Sequence, residues 1–170
     1  AGHLERPAGP FRNKRPALTA GGVGSGMLTT LTDRAREHDL LEDPVMRQQL
    51  AGVHSDIELM RFSARRGRVR AQQTGGEGNL ASLRTTRALH RARDAAGAIL
   101  GPEMTLSGPD SETEGVLQEM TVFSPAPSIY GGTDEVQRNI IGERVLGLPK
   151  EPGPDKATPF NELLQNRTEW

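Results

Sequence analysis

At 170 residues, with 21 Lys and Arg against 22 Asp and Glu, the chain has a formal charge of −1, which argues against a dedicated polyanion binder but leaves room for a local basic face. It has no cysteine, so a disulfide framework and a thiolate metal site are excluded, as suits a reducing cytoplasm. Apolar residues make up 34% and aromatics 4%, low for a self-sufficient globule, so a helical module that buries part of its surface against a neighbour fits better.

No apolar run approaches membrane-spanning length and no charged-then-apolar leader opens the chain, so the expected location is cytoplasmic with no membrane partner. The start at Ala1 rather than Met is what a fragment or a processed product would show. Residues 1–16 are rich in Pro, Gly and basic side chains (Pro7, Pro10, Pro16, Arg6, Arg12, Lys14, Arg15) and carry no apolar period, which predicts a disordered or extended arm. A glycine-dense run, Thr19 to Gly26, lacks both the Gly-Lys-Ser/Thr ending of a phosphate loop and the preceding strand of a dinucleotide fingerprint, so close helix packing or a plain loop is the reading.

Met27, Leu28, Leu31 and Ala35 then predict a helix toward His38. Glu42-Asp43-Pro44 stops it and starts another, with Asp43 as N-cap and Pro44 in the first helical position. In that second helix Met46, Leu50, Val53, Ile57, Met60 and Ala64 recur at the spacing of a bundle seam. His54 lies beside the seam, where a histidine is a satisfied polar neighbour rather than a base. Gly75-Gly76 breaks the helix. A third is expected from about Gly78 to Leu100 on Leu80, Leu83, Leu89, Ala92, Ala96 and Ile99, closed by Gly101-Pro102.

From Arg61 to Arg93 these two helices carry nine arginines and one acid, Glu77. An anion-binding face is one reading; a solvated face balanced by acids elsewhere, or a subunit contact, is the other. The near-zero net charge and the lack of interleaved aromatics favour the second, with no nucleic-acid partner. A polar loop (Ser107 to Thr113), a short helix around Gly115 to Met120 and an extended lead, Ser124-Pro125-Ala126-Pro127-Ser128, follow.

The next stretch, Ile129 to Pro149, reads as a sharp turn feeding a helix. Gly131-Gly132 frees the backbone. Thr133 sits where an N-cap belongs, and Asp134 and Glu135 place negative charge on the positive end of the helix. Val136, Ile140, Ile141, Val145 and Leu148 form an apolar stripe ended by Pro149. Lys150 to Trp170 has little period, with Phe160, Leu163 and Leu164 as candidates to dock. The pattern predicts an all-α fold, an antiparallel four- to five-helix bundle, with an arm at 1–16, the bundle at 17–149 and a C-terminal tail at 150–170.

Tyr130-Gly131-Gly132-Thr133, Glu135, Gln137-Arg138-Asn139-Ile140-Ile141 and Glu143-Arg144-Val145-Leu146-Gly147-Leu148-Pro149 closely resemble the C-terminal signature of acyl-CoA dehydrogenases, flavin enzymes that desaturate acyl-CoA thioesters. The ending around Gly142 to Gly153 resembles the actinobacterial branch, in which several members handle steroid side-chain or other bulky CoA thioesters. The resemblance implies a helical C-terminal domain that follows a helical and a β domain not present in this chain. It further implies FAD as cofactor, an acyl-CoA substrate and a homo- or hetero-oligomer of acyl-CoA dehydrogenase subunits. The positions that meet the flavin in the family fall on Tyr130, Gly131, Gly132, Thr133 and Glu135, with Glu where some members have Gln.

The family's base is less well matched. One branch carries a glutamate between the Tyr and the Gly of the signature, and this chain has Gly131 there. Other branches use a Glu-Arg pair ahead of the first helix, and Lys14 stands at that place. Glu5, in the only literal Glu-Arg pair of the arm, is the remaining candidate base, and using it requires an insertion of about ten residues inside a helix, against the prolines that follow. The Arg-x-x-Phe-Gly motif that reaches a neighbouring subunit's FAD has no counterpart near Arg36 to Arg47. Ala98 replaces the Gln expected before Ile99-Leu100-Gly101. Such losses resemble members that work as mixed oligomers. The expectation is a fragment or subunit that helps frame an FAD site without supplying the base; the alternative is a catalytically silent helical partner. No metal site is expected.

Overall fold

The computed structural model describes residues 25–69, 74–106, 111–150 and 159. The arm, the glycine run before Ser25 and nearly all of the tail, with Glu5, Lys14, Phe160, Leu163 and Leu164, lie outside the described residues. Those described form five α-helices: α1 (Ser25–Glu37), α2 (Pro44–Gly67), α3 (Glu77–Leu100), α4 (Val116–Phe123) and α5 (Asp134–Arg144). No strand occurs among the described residues, and none of the helices is long and apolar enough to cross a membrane.

The first reversal works as the sequence implies. Asp39 takes a left-handed φ of 56°, a one-turn 3-10 helix runs Leu40–Glu42, and the Asp43 carboxylate accepts from Val45 N at 2.9 Å, capping α2 ahead of Pro44. Such a cap is worth about 1 kcal/mol. α2 buries Met46, Leu50, Val53, Asp56 and Ile57; Met60 is half-buried, while Ala64, expected to continue the seam, is exposed.

α3 is the central helix and packs against each of the other four. Its core face is mostly alanine (Ala88, Ala92, Ala95 and Ala96), with Leu89, Ile99 and Leu100. Small side chains let neighbouring backbones come close while costing nothing in helix propensity. Larger side chains on the surrounding helices (Leu31, Val53, Leu117, Met120) fill the space and are almost fully buried. Leu80 and Leu83, expected in that face, are only half-buried.

α2 and α3 are antiparallel, as a rising α3 number meets a falling α2 number. Arg84 donates to the Leu59 carbonyl at 2.9 Å, and Asp56 lies 3.4 Å from Arg87 and 3.2 Å from Arg91. A Cβ on Gly52 would lie 2.8 Å from Arg91 Nη1, so glycine there leaves room for the guanidinium. Five of the nine arginines of that stretch have partners among the described residues: Arg61 with Glu58, Arg87 and Arg91 with Asp56, Arg93 with Asp94, and Arg84 with a carbonyl. His54 is exposed on α2.

The approach to the last helix differs from expectation. The Pro-rich lead is not extended: Ala126–Ser128 is a 3-10 turn with Pro127 buried, and Tyr130 N donates to the Ala126 carbonyl at 3.0 Å. Proline favours this, because its fixed φ suits the first position of a helical turn. After α5, Gly147 at φ 67° folds Leu148 back onto Gly142, with Leu148 N donating to the Gly142 carbonyl at 3.0 Å.

Candidate functional site

The hinge that enters α5 runs Tyr130-Gly131-Gly132-Thr133. Gly131 has φ 70° and Gly132 φ 99°, conformations that cost a side-chain-bearing residue and not glycine. Thr133 caps α5 as expected, its hydroxyl accepting from Val136 N at 3.4 Å while its carbonyl accepts from Gln137 N at 2.9 Å. The hinge faces outward. Tyr130 and Gly131 are exposed, Gly132 and Thr133 half-buried, and a Cβ built on Gly131 would meet nothing within 4 Å. The backbone there is open to a flat ligand.

Around the hinge lies uncovered apolar surface: Val122 is 83% exposed, Ile129 67%, Tyr130 58% and Val136 45%. Phe123 and Tyr130 have ring centroids 6.4 Å apart, tilted by 43°, so the tyrosine leans on the end of α4.

The first turn of α5 is acidic but restrained. Glu135 is held below the ordinary carboxylate range by its own backbone N–H, by the Thr133 hydroxyl and by Arg138. Arg138 reaches Glu135 at 3.5 Å and Asp134 at 4.0 Å. Asp134 Oδ1 is buried without a hydrogen-bond partner among the described residues.

The α5 stripe is not the core face that its apolar residues suggest. Val136 and Leu148 are exposed, and the one side chain buried on the helix is Gln137. Its amide nitrogen donates to the carbonyls of Gly131 at 2.9 Å and Gly132 at 3.1 Å, and its oxygen accepts from Asn79 Nδ2 of α3 at 2.6 Å. One turn and two turns on, Ile141 and Val145 pack on Gly76, which is buried; a Cβ on Gly76 would fall inside the van der Waals radius of Val145 Cγ2. Sequence reading placed Gly75-Gly76 only as a helix break. The spacing of four through Gln137, Ile141 and Val145 was the available signal, and the polar first member hid it.

Glu77, counted as the lone acid of the basic stretch, is a cap. Its carboxylate accepts from Thr74 N, from the Thr74 hydroxyl at 2.9 Å and from Gly75 N at 3.0 Å. These bonds, the Thr74 amide first, lower its pKa from 4.5 to about 2. The Gly75-Gly76 turn that seats α5 is therefore fastened to the start of α3.

Elsewhere, a shallow groove of about 590 Å³ runs between α2 and α3, lined by Val45, Gln48, Gly52, Ser55, Arg91 and Asp94; no hinge residue lines it. No group of three or more His, Asp or Glu able to hold a metal occurs among the described residues.

Residues 9–146 match the family described as acyl-CoA dehydrogenase, C-terminal domain. Acyl-CoA dehydrogenase IpdE1 of Mycobacterium tuberculosis is 34% identical over 126 residues, covering 73% of this chain and 32% of that protein. The enzyme of the same name from Mycolicibacterium smegmatis is 32% identical over 124 residues, 72% of this chain and 30% of that one. The chain thus spans about a third of the length of these curated relatives. Among solved structures, the crystal structure of the ChsE4-ChsE5 complex from M. tuberculosis has the same fold over 74% of this chain and 35% of that one, with a TM-score of 0.66 at 24% identity. A structure described as Tcur3481-Tcur3483 steroid ACAD gives a TM-score of 0.64 at 22% identity, over 74% of this chain and 35% of that one.

Proposed function

The chain belongs to the acyl-CoA dehydrogenase family as its C-terminal domain, and we propose that it frames an FAD site in a larger acyl-CoA dehydrogenase assembly without supplying the catalytic base. The observation that carries this is the outward-facing glycine hinge at the tip of α5, with free space over Gly131 and an apolar rim beside it. These residues fit the cofactor. The open backbone at Gly131-Gly132 admits a planar ring, and the exposed Glu135 carboxylate beside it can accept from a hydroxyl. Tyr130, Gly131, Gly132, Thr133 and Glu135 would hold the group. FAD supplies the electron acceptor for removal of the α and β hydrogens of an acyl-CoA thioester.

The chain's own contribution is positioning and the exclusion of water, since Gly131 stands where one branch of the family carries its base and cannot take a proton. The acyl group is proposed to be bulky, of steroid type, from the resemblance of the 142–153 ending to the actinobacterial branch. The partner is a second acyl-CoA dehydrogenase subunit or the domains that accompany this one in its relatives, and the rim of Val122, Phe123, Ile129 and Tyr130 would meet it. The same glycine favours a second reading, a silent partner that only assembles with an active subunit.

Coexpression with candidate acyl-CoA dehydrogenase subunits, followed by flavin absorbance of the purified material, separates the two. The isolated 170-residue chain is expected to purify without FAD and to show no dye-coupled acyl-CoA oxidation, while a correct pairing gains flavin bound at the hinge. Turnover by the isolated chain overturns the claim that it lacks a base. A fully active complex whose flavin content is indifferent to substitutions at 131–135 leaves only the silent partner.

A further inference from the structure

Two adjacent glycines ought not to hold one conformation, because each peptide plane can rotate at little cost. In this hinge a single buried side chain holds both. Gln137 is 6% exposed, and its two amide donors go to the carbonyls of Gly131 and Gly132 at 2.9 Å and 3.1 Å. Its acceptor oxygen is held by Asn79 Nδ2 at 2.6 Å. Turning the amide over would set its oxygen against two carbonyl oxygens and its nitrogen against another donor, so only this orientation is satisfied. The position is otherwise apolar in character, since Ile141 and Val145 continue the same face; a leucine would fill it, and a glutamine does more than fill.

The consequence follows from peptide geometry. None of the described peptides is cis, so the N–H of Gly132 and that of Thr133 point opposite to the two clamped carbonyls, away from Gln137. Neither has a hydrogen-bond acceptor among the described residues. Gly132 needs glycine for its φ of 99°, and a Cβ there would in addition crowd Gln137 Nε2 at 3.1 Å. We propose that Gln137, braced by Asn79, is the positioning residue of the 130–133 hinge: it fixes the two glycine peptides and hence the direction in which their N–H groups face the cofactor. The inference rests on the flavin reading only for what the hinge faces.

Backbone ¹⁵N relaxation of the whole chain tests it directly. In Gln137→Met, which keeps the length and removes the donors, order parameters at Gly131 and Gly132 should fall from ~0.85 to below ~0.6 while α2 and α3 stay rigid. Asn79→Ala should give a smaller fall at the same residues. Gln137→Glu should lose order at neutral pH and recover part of it on acidification, when the protonated carboxyl regains one donor. In the flavin-bearing complex, Gln137→Met should weaken FAD binding about tenfold through lost preorganisation. If both glycines keep wild-type order in Gln137→Met and Gln137→Glu while the unfolding midpoint drops, Gln137 is merely a core residue and the proposal is wrong. If order falls as expected but no wild-type pairing ever holds FAD, the brace stands and the flavin reading fails.

Discussion

Gly76→Ala is the sharpest test of how α5 is seated. Gly76 has φ −112° and ψ 9°, which alanine can adopt, so the substitution carries no left-handed strain. Alone, loss of a glycine from the unfolded chain would stabilise by about 0.4–1 kcal/mol. Against that, the new methyl enters the space of Val145 Cγ2, and a β-branched side chain has one preferred rotamer and little freedom to turn aside. Overpacking of this kind costs ~1–3 kcal/mol, so the net effect is a loss of about 0–2.6 kcal/mol. For a chain of this size that lowers the melting temperature by roughly 2–4 °C per kcal/mol. Urea denaturation of wild type, Gly76→Ala, Val145→Ala and the double variant closes a cycle, in which the double variant should recover ~1–3 kcal/mol relative to additivity. Simple additivity, with Gly76→Ala stabilising, would refute the seating of α5 on this turn.

Three further outcomes are expected. Gly131→Ala should cost about 1–2 kcal/mol from the left-handed backbone alone, and Gly132→Ala clearly more, because its Cβ also crowds Gln137 Nε2 at 3.1 Å; equal losses in chemical denaturation would contradict the clamp. Glu77 has its folded pKa depressed from 4.5 to about 2, so its contribution is fully present above 4.5 and is lost as pH falls toward 2. The melting-temperature gap between wild type and Glu77→Gln should therefore be widest near neutrality and close by about pH 2, and a gap unchanged across that window would contradict the capping role. Arg91→Ala should destabilise by ~1–3 kcal/mol, since it leaves the buried Asp56 with only the exposed Arg87 at 3.4 Å, whereas Arg65→Ala on the exposed end of α2 should stay within about 0.5 kcal/mol; equal effects from the two would remove Asp56 as the anchor of the α2–α3 face.

The bundle was legible where apolar residues recur on a helix that packs along its length. Met27, Leu31 and Ala35 of α1, and Met46 to Ile57 of α2, are buried as their spacing predicts. Periodicity failed where polar groups take the buried positions. Asp56 lies within the apolar seam of α2, and with Glu58 and Asp94 it supplies the acids from outside the arginine-rich stretch that the preferred reading of that stretch requires, though no hydrophobic period identifies which acids they are. On α5 the apolar residue Val136 is exposed and Gln137 is buried, and Leu148, beyond the helix end, is exposed as well. A hydrophobic period cannot report a side chain whose burial is stabilised by three hydrogen bonds. The cap residues Asp43 and Thr133 were readable because capping is local chemistry, set within three residues. The Asn79–Gln137 contact joins positions 58 apart and leaves no local trace.

What was legible and what was not bear on one another at the hinge. Family signature residues, from Tyr130 to Pro149, mark the hinge without saying which groups face inward, and the structure divides them. Gln137, Ile141 and Val145 turn toward α3 and the Gly75-Gly76 turn, while Tyr130, Gly131 and Val136 face away from the bundle. The inward set ties the hinge, through Asn79 and through the Glu77 cap, to the first turn of the central helix. A rigid inner face behind an uncovered outer one is the arrangement expected of a domain that presents a preformed edge to something larger. That is why substitutions on the two sides should separate: inner ones move stability and hinge order together, and outer ones, such as Ile129→Ser, should leave the isolated chain's stability within about 0.5 kcal/mol of wild type and appear only when a partner subunit is titrated in.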